Sequence, residues 1–333
     1  MNFTLNVLGT ASALPTTERN PSAQVLDVRG RLFLIDCGEG TQMGLRRAGI
    51  SFLKIEHICL SHIHGDHIFG IFGLLSTMGM LGRSAALAIY APKSFGPVLK
   101  FFLSYFGEGI KFRIDFVPLT MKQPEIVYEN KVMEVLSFPL KHRIDTYGFL
   151  FREKTPAMNV RKDAISKYGL TLSEIGALKR GEDILRPAGM DTEPTVENGF
   201  RPCSGSDEPL LIRNEDAAYV PFRPRSYAYC SDTAPFPELS GWINGVNLLY
   251  HEATFPESMA ETASATFHST TVQAAQCAVE ANADKLIVGH YSSRFRNVDF
   301  YLPEIRRIFK ESYLAHDGDT FEVTLIQSEF HQK

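Results

Sequence analysis

SHIHGDH, residues 61–67, places His62, His64, Asp66 and His67 within six consecutive positions, directly behind an apolar run that ends in Cys59 and Leu60. The chain holds ten histidines in 333 residues, so three in one loop point to a shared chemical task. Imidazole nitrogen and carboxylate oxygen suit zinc, and a catalytic zinc keeps a coordination position open for water. His62 and His64 can point the same way only if the strand breaks into a loop there, which the small residue Gly65 permits. Asp66 and His67 then fall at the start of the following helix and are aimed differently, so one short loop can offer ligands to two neighbouring metals.

Further candidate ligands stand at the ends of strand-like patterns: His142 after VLSFPLK, Asp232 after SYAYCS and His290 after KLIVG. Taken singly, each has an ordinary structural explanation, His142 as a loop residue and Asp232 as a helix cap or turn former. Together with the loop at 61–67 they are enough for two coordination shells.

Around these residues strands alternate with helices. FTLNVLGT, AQVLDVR, RLFLIDCG and HICLS read as strands, with a helix at TQMGLRRAG. IFGIFGLLSTMGML is apolar almost all round, which predicts a helix buried on most faces with its N-terminus at the histidine loop. AALAIYAP, FRIDFVPL and NKVMEVLSFPL continue the strand pattern, with the aromatic helix SFGPVLKFFLSYF between the first two. SYAYCSDT, NLLYHEATF and KLIVGHYSS resume it later, joined by a helix at STTVQAAQCAVEANA, and a helix around EIRRIFKES and a strand TFEVTLI close the chain. Two strand-rich blocks of the same kind imply an α/β (α+β) fold of four layers, two sheets packed between helices.

The segment 151–225 is polar and lacks strong strand patterns, which reads as an inserted arm or long loop within a single domain spanning 1–333. Residues 151–190 carry eight Lys or Arg against five acidic residues, in a chain of net charge −4. That local excess suits a phosphate-gripping element; the plain alternative is a solvated helical insertion.

With 44% hydrophobic and 22% charged residues the chain can bury a sizeable core. No apolar stretch approaches the roughly 20 residues of a membrane span, and MNFTLNVLGT lacks a basic n-region and an apolar h-region. The expectation is a cytoplasmic protein without a membrane partner. Five cysteines, an odd number without CxxC spacing, read as reduced core residues and not as a disulfide framework or zinc knuckle.

SHIHGDH, the isolated His142, the strand-end Asp232 and the Gly-His pair at 289–290 resemble the metallo-β-lactamase superfamily, which implies its αββα sandwich. Within that superfamily, LGTASALPT, CGEGTQ at 37–42, HEATF at 251–255, FHSTTVQAA at 267–275 and GHYSSRF at 289–295 resemble the tRNase Z family, endonucleases that trim tRNA 3′ ends. These motifs span nearly the whole chain in the family's order.

The resemblance implies a zinc-dependent endoribonuclease that removes the 3′ trailer of precursor tRNA and leaves a 3′-hydroxyl. It implies two Zn²⁺ per subunit, with Mn²⁺ as the other candidate: His62, His64 and His142 on one, Asp66, His67 and His290 on the other, and Asp232 bridging them. Two cations about 3.5–4 Å apart acidify a shared water and clamp phosphoryl oxygens, so the attacking species is then a bridging hydroxide. Asp66 would both ligate and accept a proton. Ligating imidazoles must stay neutral and cannot protonate the departing 3′ oxygen. The family's proton donor falls on His268, with Glu252 fixing its tautomer; without the resemblance His268 is a helix flank beside the capping residues Ser269 and Thr270.

Thr10 and Ser12 in the N-terminal Gly turn, and Arg294 past His290, are candidate phosphate contacts, against the plain readings of a tight turn and a solvated arginine. VRKDAISKYGLTLSEIGALKRGEDI resembles in character the family's arm, or exosite, which in homodimers serves the partner's active site. A homodimer is therefore expected. The sequence departs from the family at the arm's tip, where LTLSEIGALKRG replaces a frequent Gly-Pro pair and DTEPTVENGFRPCSGSDEP follows. The alternative within the fold is a small-molecule phosphodiesterase or other metallo-β-lactamase-fold hydrolase. A metal-free RNA-binding member is opposed by the intact set of seven ligands.

Overall fold

The computed structural model describes residues 1–188 and 208–327. Phe3–Gly9, Ala23–Val28 and Arg31–Cys37 pair antiparallel as the expected meander. Ile55–Cys59, Leu87–Pro92 and Ile114–Leu119 then add in parallel. Parallel neighbours need a crossover, and the helices Thr41–Arg47, Gly65–Met80 and Phe95–Phe106 supply it in turn. Thr320–Glu322 closes the far edge against Phe3–Gly9. The second seven-stranded sheet runs in the order Ser312–Leu314, Lys285–Gly289, Leu248–Glu252, Ser226–Cys230, Tyr147–Glu153, Met133–Pro139, Glu125–Glu129. Its first four strands are mutually parallel and the remainder antiparallel.

An aromatic-rich layer fills the space between the sheets: Phe3, Leu5 and Phe33 from one, Phe149, Phe151, Tyr227 and Tyr250 from the other. The rings of Phe33 and Phe151 meet edge to face at 5.2 Å, a geometry that aromatic quadrupoles favour. Ile71, Leu74, Leu75 and Met78 of Gly65–Met80 and Phe95 and Leu99 of Phe95–Phe106 seal the outer face of the first sheet. Ala274, Ala275 and Ala278 of Thr271–Glu280 and Tyr301 and Ile305 of Tyr301–Arg306 do the same for the second. The result is the αββα sandwich that the motif pattern implied.

Three strands of the two large sheets were not legible in the sequence, the edge strand Ser312–Leu314 among them. Tyr147–Glu153 lies in the middle of the second sheet and is buried at every position but Arg152, so it shows no two-residue alternation. Glu125–Glu129 is a polar edge strand. The last helix covers Tyr301–Arg306, earlier than EIRRIFKES suggests, and TFEVTLI contributes only Thr320–Glu322.

Contacts divide the chain into two compact units, Met1–Glu153 with Arg225–Thr324 and Lys154–Pro224 with Leu325–Lys333. The described part of the second is folded and not a long loop: Ala164, Leu178, Ile184, Ile212, Ala217 and Ala218 form its own apolar cluster. Thr171 and Glu174 close a capping box at the start of Leu172–Lys179. Its positive charge is partly spoken for, since Arg186 pairs with Glu174 at 2.6 Å and Arg180 with Glu182 at 2.7 Å. Nearly all of the stretch 191–209 that departs from the family lies outside the described residues.

Cys37, Cys59 and Cys230 are buried free thiols and Cys277 is a partly buried one; Cys203 lies outside the described residues. Among the described residues no helix is long and apolar enough to cross a membrane.

Candidate metal centre

The parallel strands of both sheets carry the site on their carboxyl ends, where open α/β sheets collect ligands. Asp36 is the penultimate residue of Arg31–Cys37 and Ile55–Cys59 leads into Ser61 and His62; Glu252 ends another strand, and Asp232 and His290 follow just past Ser226–Cys230 and Lys285–Gly289. Asp36, Asp232 and His290 have φ of 54°, 56° and 61°, a left-handed backbone that costs roughly 1–3 kcal/mol per residue. Ala13 and Phe267, each at φ 60°, act through backbone groups. The Ala13 N–H donates to Asp66 Oδ2 at 2.7 Å, and the Phe267 carbonyl accepts from His142 Nδ1 at 3.1 Å.

These turns gather His62, His64, His142 and Asp232 into one group and Asp66, His67 and His290 into another, with ligand atoms of each within 4.8 Å of one another. Asp232 stands between them. Its Oδ1 lies 3.8 Å from His62 Nε2 and 3.9 Å from His142 Nε2, while its Oδ2 lies 3.1 Å from His67 Nε2 and 3.3 Å from His290 Nε2.

The hydrogen bonds behind the rings settle which nitrogens face inward. His67 Nδ1 donates to Asp36 at 2.7 Å and His290 Nδ1 to Thr254 Oγ1 at 3.0 Å. Their Nε2 lone pairs then confront each other at 3.3 Å. His62 Nε2 and His64 Nδ1 approach to 2.9 Å, and His142 Nε2 is buried without a hydrogen-bond partner. The facing lone pairs of His67 and His290 repel unless a cation sits between them, and the buried, unpartnered His142 Nε2 leaves a further donor atom free. Tetrahedral zinc with Zn–N near 2.0–2.1 Å holds its ligand atoms about 3.3 Å apart, so the donor set fits a divalent metal in each group.

The electrostatics agree. Burial keeps His62, His64 and His142 below the usual imidazole range, neutral as ligands must be. Burial pushes His67 down as well, but Asp232, Asp66 and Asp36 outweigh it and drive the group upward. Burial would raise the carboxyls of Asp66 and Asp232, yet the surrounding imidazoles hold both well below the usual range. The cavity demands positive charge.

Asp36 escaped the sequence reading; its only signal is an acidic residue closing the apolar strand RLFLIDC. Fully buried, it accepts from Ser61 Oγ at 2.8 Å, Ser61 N at 2.7 Å and Tyr229 Oη at 2.7 Å as well as from His67. Such carboxylates orient ligating imidazoles and raise their basicity. Asp36→Asn is expected to weaken metal affinity by about 10- to 100-fold, measured by competition with a chromogenic chelator; an unchanged affinity would remove this role.

Glu252, also fully buried, accepts from Thr233 N at 2.7 Å, from Thr254 Oγ1 at 2.5 Å and from His268 Nδ1 at 2.8 Å. Burial pulls His268 down, but the charge and hydrogen bond of Glu252, with Asp232, reverse this and raise it to about 9. His251 turns its Nδ1 to the Glu252 carbonyl at 2.7 Å and stays structural.

A cavity of about 580 Å³ opens over the two groups, lined among others by Ser12, Phe69, Arg143 and His268. Thr10 does not reach it: fully buried, its hydroxyl donates to Asp317 at 2.8 Å. Arg294 is exposed and stacks its guanidinium 5.9 Å from the Phe255 ring. Arg143, which follows His142 directly and was missed, is steadied by the Ala265 carbonyl at 2.9 Å. Gly65 is the first residue of the helix Gly65–Met80 and has no positive φ, so its smallness serves another purpose: a Cβ there would overlap the Phe69 ring. The CGEGTQ turn packs the metal loop in place, with Gly38 against the Asp66 carbonyl and Gly70 of the helix against the Gly38 carbonyl, too close for any Cβ.

A family model described as the anti-Pycsar protein Apyc1 matches residues 3–151. Among solved structures, human tRNase Z, short form, superposes with a TM-score of 0.65 at 21% identity over 96% of this chain and 99% of its own. A metallo-β-lactamase fold protein from Bacillus subtilis gives 0.65 at 15% identity over 97% and 100%; both likenesses concern the fold. The ribonuclease Z of Bacteroides fragilis is 39% identical over 316 residues, 95% of this chain and 97% of its own, and that of Cytophaga hutchinsonii is 38% identical over 324 residues, 97% of each. With such identity along almost the entire length of both partners, the chain belongs to the ribonuclease Z family.

Proposed function

We propose that this protein is a metal-dependent endoribonuclease that removes the 3′ trailer of precursor tRNA and leaves a 3′-hydroxyl on the tRNA. The observation that carries the reading is one cavity holding two ligand groups joined by Asp232, next to a histidine that Glu252 fixes for proton donation. Relatives named ribonuclease Z, matched over nearly their whole length, favour it over the small-molecule phosphodiesterase.

His62, His64 and His142 would hold one cation, Asp66, His67 and His290 a second, and Asp232 both. We take zinc as the resident metal, with Mn²⁺ as the substitute, since imidazole and carboxylate suit either. When bound, the cations supply Lewis acidity toward a phosphoryl oxygen and acidify water. Asp66, fixed by the Ala13 N–H, accepts a proton from the attacking water. His268 donates the Nε2 proton to the departing 3′ oxygen while Glu252 holds Nδ1–H. Ser12 and Arg143 at the cavity wall, and Arg294 beside it, receive the phosphates; Thr10 serves the fold. The basic residues within 151–190 grip the tRNA body, in a cytoplasmic homodimer whose subunits share substrate.

The test is a denaturing-gel assay on a 3′-extended precursor tRNA, with and without chelator, alongside a chromogenic phosphodiester. One metal-dependent cut at the 3′ end of the mature tRNA is expected, weakening steeply as salt rises. His268→Ala should cut about 10²- to 10⁴-fold more slowly, the typical contribution of a general acid, with metal content unchanged. Brisk ester hydrolysis with the tRNA untouched would overturn the reading.

A further inference from the structure

Phe69 breaks the pattern of its helix. Ile68, Ile71, Leu74, Leu75 and Met78 of Gly65–Met80 are buried, whereas Phe69, in the first turns beside the ligand Asp66, is 65% exposed. An exposed phenylalanine is ordinary on a protein surface; this one lines the cavity over the metal groups. Its ring lies against Gly65, where a Cβ would displace it, so part of the ring is backed by the helix start and the rest meets water. Ala13, Pro15 and Pro21 add further apolar lining, and Arg143 contributes a cation to the same cavity.

An aromatic plane with a free face beside a phosphate-binding centre is a platform for a nucleobase, since every base offers a π-face. The side of the scissile phosphate follows from His268. His268 leads into Thr271–Glu280, the helix that covers the second sheet, whereas Phe69 stands on Gly65–Met80, which covers the first, so the two enter the cavity from different sheets. The 3′ oxygen that His268 protonates carries the tRNA body, so the wall bearing Phe69 is left to the ester on the other side. We propose that Phe69 stacks the base of the first trailer nucleotide and so helps hold the scissile phosphate over the ligand groups. This rests on the tRNA-processing reading above.

The test compares full-length, metal-loaded wild type, Phe69→Ala and Phe69→Trp on three precursor tRNAs: unmodified, abasic at the first trailer nucleotide, and abasic at the last nucleotide before the cut. On unmodified RNA Phe69→Ala is expected to lose about tenfold in kcat/KM, within the range of base–aromatic stacking, while Phe69→Trp retains activity and both keep their metal content. With the first trailer base removed, wild type and Phe69→Ala should agree within about twofold. An equal loss by Phe69→Ala on all three RNAs, no loss on any, or a loss abolished only by removing the base before the cut would each overturn the assignment. Failure of the wild type to cut any precursor would instead sink the tRNA reading and this inference with it.

Discussion

Asp232→Ala is expected to lower precursor cleavage by more than about 10⁴-fold and to leave the purified protein depleted of metal. Among the described residues Asp232 is the one carboxylate whose two oxygens face different histidine groups, at 3.1–3.3 Å on one side and 3.8–3.9 Å on the other. Its removal deprives both groups of an anionic ligand and leaves five imidazoles converging with only Asp66 to offset a cation. Charge stabilisation at a transition state contributes about 10²–10³-fold per well-placed group, and water activation a comparable factor, so the product falls near the stated loss. Elemental analysis alongside single-turnover cleavage checks it; wild-type metal stoichiometry in the variant would refute the bridging role.

The second large effect concerns no chemical group at all. Gly70→Ala is expected to destabilise the fold by about 2 kcal/mol or more and to reduce cleavage about 100-fold. Alanine is favoured over glycine inside a helix by about 1 kcal/mol, so propensity alone predicts a gain. The added Cβ, however, overlaps the backbone carbonyl of Gly38, which no change of rotamer relieves; overpacking of this kind costs about 1–3 kcal/mol or more. To make room, the helix must retreat from the turn, carrying Asp66 and His67 with it, and a displacement of about 1 Å at a reacting centre can cost 10²-fold. Denaturant midpoints and kcat/KM provide the readout. Gly241→Ala, also helical but with no atom within 4 Å of the added carbon, should be neutral or slightly stabilising; equal behaviour of the two variants would remove the packing argument.

The residues that the structure gathers into the two groups stood out in the sequence because each interrupts or follows an apolar strand with a residue type that strands seldom retain, as His142, Asp232 and His290 do. Their allotment to two groups was not, since it depends on which imidazole nitrogen each hydrogen bond leaves free. Asp36 was hidden for a related reason: a buried strand-end aspartate looks like any turn residue until Tyr229, from the other sheet, and His67 are seen to share it. Tyr147–Glu153 was missed because a strand buried on both faces loses the alternation that identifies strands. The segment 151–225 reads as an inserted arm or long loop because the apolar residues of its described part are spread over three short helices and short strand pairs, so no single window carries a period. Gly65 was assigned the wrong cause, since one sequence position reports smallness and not what the smallness accommodates.

The left-handed backbone at Asp232 and His290 bears on how this chain can be changed by selection. At a strand end with φ near 55–60° the least strained residue is glycine, followed by asparagine. Random substitution will therefore keep finding variants that express better, unfold later and do nothing. A screen for solubility or heat resistance alone would drift toward a well-folded, inert sandwich. Retention of carboxylate and imidazole at these two positions requires that every round of selection reward turnover.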